Sequence, residues 1–133
     1  MTNQVKSVMI VDDNKIDNFF NERVIKKNDA SWIVIAKESP YDALDYLKAG
    51  EQIPDVIFLD VNMPGMSGWD FIEEYKKLAI SHNDVLIVIF TCNHKDPDDE
   101  TLELVKGISC HFSPKPLTIE ILEQVQEKYS SLK

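Results

Sequence analysis

The sequence predicts an α/β protein in which a parallel sheet carries helices on both faces. Two observations support this prediction: short apolar runs alternate with helical patterns along the chain, and the runs lack strict polar alternation. Strands buried on both faces have this continuous apolar character, and repeated strand–helix alternation is typical of parallel sheets. The predicted strands lie within the runs Val5–Val11, Trp32–Ala36, Val56–Leu59, Val85–Thr91 and Gly107–Phe112.

Helical patterns fill the segments between these runs and follow the last one. The first helix is marked by apolar residues at helical spacing, namely Ile16, Phe19, Phe20, Val24 and Ile25. The other four predicted helices have their apolar residues within 43–47, 71–78, 102–105 and 121–129. Ser39 followed by Pro40 suits the start of the second helix, and Gly50 suits its end.

Five strands joined by helices leave few topologies, because crossovers between parallel strands are right-handed. The best fit is a flavodoxin-like, doubly wound sheet with the strand order 2-1-3-4-5 and five helices. In this order a ligand site is expected between strands one and three, at their carboxyl ends. The absence of a linker, a repeat or a low-complexity stretch predicts a single domain over residues 1–133.

Composition and charge exclude several functional classes. The chain has 133 residues, of which 44% are hydrophobic, as in one folded domain. Its formal net charge of −9 argues against binding to nucleic acid or to an anionic membrane. No apolar run approaches the ~20 residues of a membrane helix, and no signal-peptide pattern is present. Cys92 and Cys110 lack metal-ligand spacing, so we expect reduced thiols in a cytoplasmic protein, with a disulfide between them as the less favoured alternative.

Three aspartates lie at the predicted ligand site, since Asp12 and Asp13 end strand one and Asp60 ends strand three. Each has a structural explanation when taken alone: Asp12 or Asp13 would cap the first helix, and Asp60 would bind the amides of the following loop. Together, however, clustered carboxylates repel one another unless a cation lies between them. Oxygen ligands of this kind are those that Mg²⁺ prefers, so the sequence predicts a magnesium site.

Thr91 and Lys115 are expected at the same edge of the sheet. Thr91 ends strand four, and Lys115 follows strand five and precedes Pro116. A strand threonine or a loop lysine means little by itself. A nucleophilic carboxylate, a metal site, a hydroxyl donor and a fixed cation are together the groups needed to place a phosphoryl group on an aspartate.

In both identity and order, these residues resemble the receiver domain of two-component response regulators. The resemblance spans nearly the whole chain and rests on Asp12-Asp13, residues 59–68, Thr91 and residues 113–116. It implies that Asp60 is the phosphoacceptor and that Thr91 and Lys115 bind the phosphoryl oxygens. The implied ligands of Mg²⁺ are Asp12, Asp13, Asp60 and the main-chain carbonyl of Asn62. Within this set, Asp13 would bind the metal directly, alongside Asp60 and the Asn62 carbonyl.

The resemblance also implies how a signal leaves the site. Thr91 would move toward the phosphoryl group, and Phe112, at the position of the family's switch aromatic, would fill the vacated space. Phe112 has no hydroxyl, so it can be buried without leaving a polar group unpaired. The affected surface would be that of helix four, strand five and helix five. Asn62 and Asn93 occupy positions that tune autodephosphorylation, and as neutral side chains they leave its rate open.

The implied partners are a sensor histidine kinase or histidine phosphotransfer protein and an unidentified downstream protein. Because little sequence follows the last helix, we expect a non-enzymatic relay shuttle, phosphate sink or partner-binding regulator, either monomeric or a phosphorylation-linked dimer. One alternative is a receiver-like interaction module that works without phosphorylation, although an intact acidic cluster argues against it. The other is a small phosphohydrolase, which Asn62 and the lack of a glycine-rich phosphate loop disfavour.

Overall fold

The computed structural model describes residues 4–50, 52–61, 63, 65–78, 85–91, 99–115 and 117–132, except for the side chain of Thr91. The strands are β1 (Ser7–Val11), β2 (Ile33–Lys37), β3 (Val56–Asp60), β4 (Leu86–Thr91) and β5 (Ser109–Pro114). They form one parallel sheet in the order β2-β1-β3-β4-β5. The predicted flavodoxin-like fold and its strand order are therefore confirmed.

Helices follow the strands in alternation, as the sequence predicts. They are α1 (Lys15–Asn28), α2 (Pro40–Ala49), α3 (Gly68–Lys76), α4 (Asp99–Leu104) and α5 (Ile119–Ser130). The predicted boundaries of α2 are confirmed, since the Ser39 side chain accepts the Tyr41 amide and Gly50 ends the helix with a φ of 66°. In the described part of the chain, no helix combines the length and the apolar character needed to cross a bilayer.

The start of β5 differs from the sequence prediction. Gly107 was expected inside the fifth strand, but β5 begins at Ser109, which pairs with Leu86 of β4. Gly107 has a φ of 91°, a left-handed conformation that glycine adopts readily and that ends the turn before the strand. The apolar run thus continues through a turn, and its first residues do not join the sheet.

Two apolar layers cover the sheet, one on each face. Residues of α2 and α3 pack on one face, and residues of α1 and α5 pack on the other. All residues of β1 and β3 are buried, which explains why their sequences lack polar alternation. Burying each large apolar side chain contributes about 1.5–3 kcal/mol. Cys110 is a free, half-buried thiol in β5, and Cys92 lies outside the described residues.

The apolar pattern of α1 predicts the helix but not its buried face. Ile16, Phe19 and Phe20 are 65%, 56% and 56% exposed. Asn18 and Ile25, seven residues apart, are the buried residues of the helix. At 3.6 residues per turn, Asn18 and Ile25 share one face and the three exposed side chains lie on the opposite one. The helix therefore presents an apolar patch, Ile16–Phe19–Phe20, to its surroundings.

Candidate functional site

Three carboxylates meet at the carboxyl ends of β1 and β3. Asp60 is the last residue of β3 and is 5% exposed, whereas Asp12 directly follows β1 and is 2% exposed. Asp13 is exposed, but one of its oxygens lies within 4.8 Å of an oxygen from each of the other two carboxylates. The predicted convergence of these three residues at the topological switch point is therefore confirmed.

Close packing at the start of α3 fixes the backbone of Asp60. The amide of Gly68 donates to the carbonyl of Val61 at 3.1 Å. A Cβ atom at position 68 would lie 2.6 Å from the Val61 Cα and 2.8 Å from the Asp60 carbonyl oxygen. Both neighbours are backbone atoms, which cannot move aside as a flexible side chain can. Glycine at this position therefore lets α3 approach the end of β3 and hold Asp60 in place.

Main-chain and side-chain hydrogen bonds position Asp12. Its amide donates to the Lys37 carbonyl at 3.1 Å, which continues the pairing with β2. The Asn18 side chain donates from Nδ2 to the Asp12 carbonyl at 2.9 Å. The amide of Asn14 donates to Asp12 Oδ1 at 2.9 Å, which leaves Oδ2 facing the site. Both the backbone and one carboxylate oxygen of Asp12 are thus held by neighbouring residues.

Asn14 is the cap of α1. Its Oδ1 accepts the amide of Ile16 at 2.9 Å and that of Asp17 at 3.2 Å. The alternative in which Asp12 or Asp13 caps the first helix is therefore wrong, because the capping position is filled one residue later. Both aspartates remain available to the acidic site.

Lys115 provides a cation at the centre of this cluster. Its Nζ lies 3.3 Å from Asp60 Oδ2 and 3.5 Å from Asp12 Oδ2. A third carboxylate, from Asp17 on α1, places its Oδ2 at 3.6 Å. Burial works against the charge of Lys115, but the charges of Asp12, Asp60 and Asp17, together with a hydrogen bond to Asp60, outweigh burial and raise the pKa of Lys115 above its usual value. The lysine is therefore a fixed positive charge at neutral pH.

The charges of the site are unbalanced in favour of carboxylates. Burial raises the pKa of Asp12 above its ordinary value, and the nearby charges of Asp60 and Asp17 act in the same direction. The hydrogen bond from Asn14 and the charge of Lys115 act in the opposite direction without cancelling this effect. Three carboxylate oxygens within 4.8 Å of one another suit a hydrated divalent cation. The residues present therefore fit the Mg²⁺ that the sequence predicts.

The remaining predicted site residues are only partly described. The backbone of Thr91 ends β4 opposite Pro114, beside the segment that leads to Lys115. Phe112 is half-buried, lies opposite Ile89 and packs against the α2–α3 layer. The side chain of Thr91 lies outside the described part, as do Asn62, Asn93 and Pro116. The coupling between Thr91 and Phe112 thus stays a prediction, as does the tuning of the site by Asn62 and Asn93.

Two site residues on α1 were missed at the level of sequence. Asp17 contacts Lys115, and the buried Asn18 binds the Asp12 carbonyl. Both positions depend on how α1 is rotated against the sheet, and the exposed apolar patch of this helix gives a misleading indication of that rotation. The available signal was Asn14: as an N-cap it places Asp17 in the first turn, next to the end of β1.

Comparison with known proteins points to one family. Residues 8–126 match the family model described as response regulator receiver domain. The crystal structure of a two component response regulator from Cytophaga hutchinsonii superposes with a TM-score of 0.78 at 26% identity, covering 96% of this chain and 98% of that one.

Curated relatives agree with this match over part of their length. Response regulator GacA of Pseudomonas protegens is 36% identical over 90 residues, which is 68% of this chain and 40% of GacA. Protein-glutamate methylesterase/protein-glutamine glutaminase 2 of Vibrio vulnificus is 29% identical over 116 residues, which is 87% of this chain and 32% of that protein. The chain therefore spans 32–40% of the length of these relatives.

Proposed function

The chain belongs to the response regulator receiver family, and from this premise we propose that Asp60 accepts a phosphoryl group in a Mg²⁺-dependent signalling reaction. The observation that carries the proposal is the surroundings of the Asp60 carboxylate. It is buried at the end of a central strand, it shares a cluster with Asp12 and Asp13, and it lies 3.3 Å from the Lys115 ammonium. This combination offers a nucleophile, a metal site and a phosphoryl-binding cation at one point.

The proposed transfer needs no proton from the protein. A carboxylate oxygen of Asp60 attacks the donor phosphorus, and the bond between phosphorus and the leaving atom breaks. With a phosphohistidine donor protonated at its other ring nitrogen, this is the P–N bond, and the electron pair stays on the imidazole, which leaves as a neutral ring. Lys115 binds a phosphoryl oxygen, while Asp12, Asp13 and Asp60 would hold Mg²⁺ together with the Asn62 carbonyl. The metal supplies positive charge that lets two anions approach each other.

We further propose that phosphorylation changes the surface formed by α4, β5 and α5. A ligand shifts a conformational equilibrium only by its differential affinity for the two states. Here the ligand is the attached phosphoryl group, which Thr91 would approach, and Phe112 is the proposed coupled element. Its half-buried position against the α2–α3 layer leaves further apolar surface to bury. Asn62 and Asn93 would flank the site and tune the loss of the phosphoryl group.

A protein donor needs a contact surface beside Asp60, and α1 offers one. The helix begins directly after the acidic cluster and carries the exposed apolar patch Ile16–Phe19–Phe20. Clustered, exposed apolar side chains are typical of protein interaction sites. We assign this patch to the histidine kinase or phosphotransfer protein that supplies the phosphoryl group. The downstream protein would bind the separate surface of α4, β5 and α5.

Labelling with a small phosphodonor tests the proposal. After incubation with Mg²⁺ and acetyl phosphate, intact-mass measurement should show one added phosphoryl group that hydroxylamine removes. The group should be absent in Asp60→Asn and in wild-type protein treated with EDTA. Asp55→Asn is the matched control, because it makes the same chemical change at the other end of β3.

Each alternative function predicts a different result in this experiment. A protein that remains unlabelled yet binds its partner would be a phosphorylation-independent interaction module. Continuous release of phosphate from added phosphoesters would indicate a phosphohydrolase. Labelling that persists in Asp60→Asn would show that another residue is the acceptor.

A further inference from the structure

Asp17 has no role in the proposed reaction, yet it lies within the site. Its Oδ2 is 3.6 Å from Lys115 Nζ, nearly as close as the oxygens of Asp12 and Asp60. Unlike the buried Asp12 and Asp60, the Asp17 side chain is 44% exposed. The lysine that would bind an incoming phosphoryl group is thus already paired with a partly exposed carboxylate.

A simpler explanation of Asp17 is its place in the first turn of α1, where an acidic residue complements the helix dipole. Asp42 occupies the same place in α2. Asp42 is exposed and forms no ion pair with any residue that the structure describes. The helix dipole therefore accounts for an acid in the first turn, but it does not account for the contact with Lys115. Asp42 is consequently the matched control for Asp17.

The surroundings of the Asp17–Lys115 pair strengthen its interaction. Both residues line a cavity of about 240 Å³ between α1 and the connection from β5 to α5. Asn21, Phe90 and Leu117 complete the lining, and the last two are buried apolar residues. Charges beside apolar protein interact more strongly than charges fully surrounded by water. The exposed side of Asp17 still weakens the interaction by solvent screening.

We propose that Asp17 is a specificity-determining residue that disfavours small, highly charged phosphodonors by occupying Lys115 and adding negative charge beside Asp60. The inference rests on the proposed phosphorylation of Asp60. A donor in free solution must approach Asp60 against the charge of Asp17 and compete with it for Lys115. A protein donor docked on α1 gains contact energy that offsets this repulsion. Phosphorylation would thereby depend on the protein partner.

The chemical step itself does not involve Asp17. With acetyl phosphate, an Asp60 oxygen forms the new bond to phosphorus. The bond between phosphorus and the acetyl oxygen breaks, and acetate leaves with the electron pair. Asp17 neither accepts nor donates a proton, so removing its charge should change the approach of the donor and leave hydrolysis of the aspartyl phosphate largely unchanged.

The test compares Asp17→Asn with wild type using two donors of different charge at low ionic strength. Acetyl phosphate carries one more negative charge than phosphoramidate at neutral pH. We expect labelling of Asp17→Asn by acetyl phosphate to be about threefold to tenfold faster than wild type, with a smaller gain for phosphoramidate. High salt should reduce the gain, because screening acts on charges near the surface. Asp17→Glu should retain the wild-type rate.

The controls separate this inference from the proposed function. Asp42→Asn removes the same charge from an equivalent helix position and should label at the wild-type rate. Thermal melting verifies that every variant is folded. The inference alone would be overturned if wild type is labelled and Asp17→Asn is labelled at the same rate. It would also be overturned if the substitution accelerated labelling equally with acetyl phosphate and with phosphoramidate. If wild type and Asp17→Asn both remain unlabelled, the proposed function fails together with it.

Discussion

Two aspartates lie at opposite ends of β3, and their surroundings differ. Asp55, just before the strand, accepts the amides of Lys6 and Ser7 at 2.8 and 3.2 Å through Oδ2, and the Tyr129 hydroxyl at 3.0 Å through Oδ1. Asp60, at the other end, lies among carboxylates and 3.3 Å from one ammonium group. The same residue type is thus surrounded by neutral donors at one end and by charged groups at the other.

This difference distinguishes the structural carboxylate of Asp55 from the carboxylate of Asp60, which we propose to be reactive. Neutral donors hold Asp55 in a single arrangement and connect β1 to α5 through it. At Asp60 the neighbouring carboxylates leave an excess of negative charge, which suits the proposed binding of Mg²⁺ and of a phosphoryl group. Stability should therefore depend mainly on Asp55, and phosphorylation on Asp60.

The largest effect is expected from Asp60→Asn, which should abolish labelling by acetyl phosphate. In Mg²⁺-free buffer the substitution also removes one charge from a repulsive cluster, so the free energy of unfolding should rise by about 1 kcal/mol. Mass measurement and urea denaturation check the two effects. A marked loss of stability would show that Asp60 holds the fold as Asp55 does.

Asp55→Asn should have the opposite result. An amide NH₂ replaces one carboxylate oxygen and faces groups that also donate, so at least one hydrogen bond to a charged acceptor is lost. We expect unfolding to become easier by about 2–3 kcal/mol, measured by urea denaturation. Labelling of Asp60 should continue at a temperature where the variant is folded. Lost labelling in a folded variant would mean that the two ends of β3 are coupled.

Two glycine variants extend the comparison to the backbone. Gly68→Ala forces a Cβ against the backbone of Asp60 and Val61, so it should destabilise the protein by about 1–3 kcal/mol and also slow labelling. In Gly107→Ala no atom lies within 4 Å of the new Cβ, but the residue must adopt a left-handed φ. Position 107 precedes β5, at the end of that strand remote from Lys115. The substitution should cost about 1 kcal/mol without affecting labelling, as denaturation and mass measurements will show. Equal labelling rates in the two variants would contradict a positioning role for Gly68.

Only one side of the contrast between the two ends of β3 could be predicted from the sequence. The position of Asp60 was predictable because the order of parallel strands places the end of β3 beside Asp12 and Asp13. This placement does not depend on how the side chains pack. The role of Asp55 depends on Tyr129, which is 74 residues away, and on amides whose positions no local pattern specifies. Contacts of this kind arise from packing α5 against the sheet.

The helix next to the site shows the same limit. Apolar spacing predicts α1, but Ile16, Phe19 and Phe20 face outward and indicate the wrong buried side. The rotation of α1 is set by burial of Asn18 and Ile25, and it brings Asp17 to Lys115. A polar residue on the buried face carries little hydrophobic signal, so Asn18 could not be assigned from the sequence, and the N-cap Asn14 indicated only that Asp17 lies in the first turn.

The smallest expected effect concerns pH and involves His111, in the middle of β5 and away from both ends of β3. Burial, assisted by the charge of Lys128, lowers the pKa of His111 below its ordinary value of 6.5. The unfolded chain therefore binds more protons as the pH falls below 6.5, and stability is lost as the pH drops through the folded pKa. His111→Gln should flatten this loss in urea denaturation between about pH 7.5 and 5.5 and leave labelling at neutral pH unchanged.

The acidic cluster changes stability with pH in the opposite direction, so the contributions of Asp12 and His111 can be distinguished. Because the pKa of Asp12 is raised on folding, this residue makes its full contribution to stability below pH 3.8. The contribution is lost as the pH rises through the pKa of Asp12 in the folded protein. In Mg²⁺-free buffer, acidification should therefore relieve repulsion at the site while it destabilises the sheet at His111. Asp12→Asn should remove the relief of repulsion and preserve the destabilisation at His111, as urea denaturation across this pH range will show.

For His111, the contradicting outcome is a loss of stability in His111→Gln equal to that of wild type. That result would place the titrating group elsewhere in the protein.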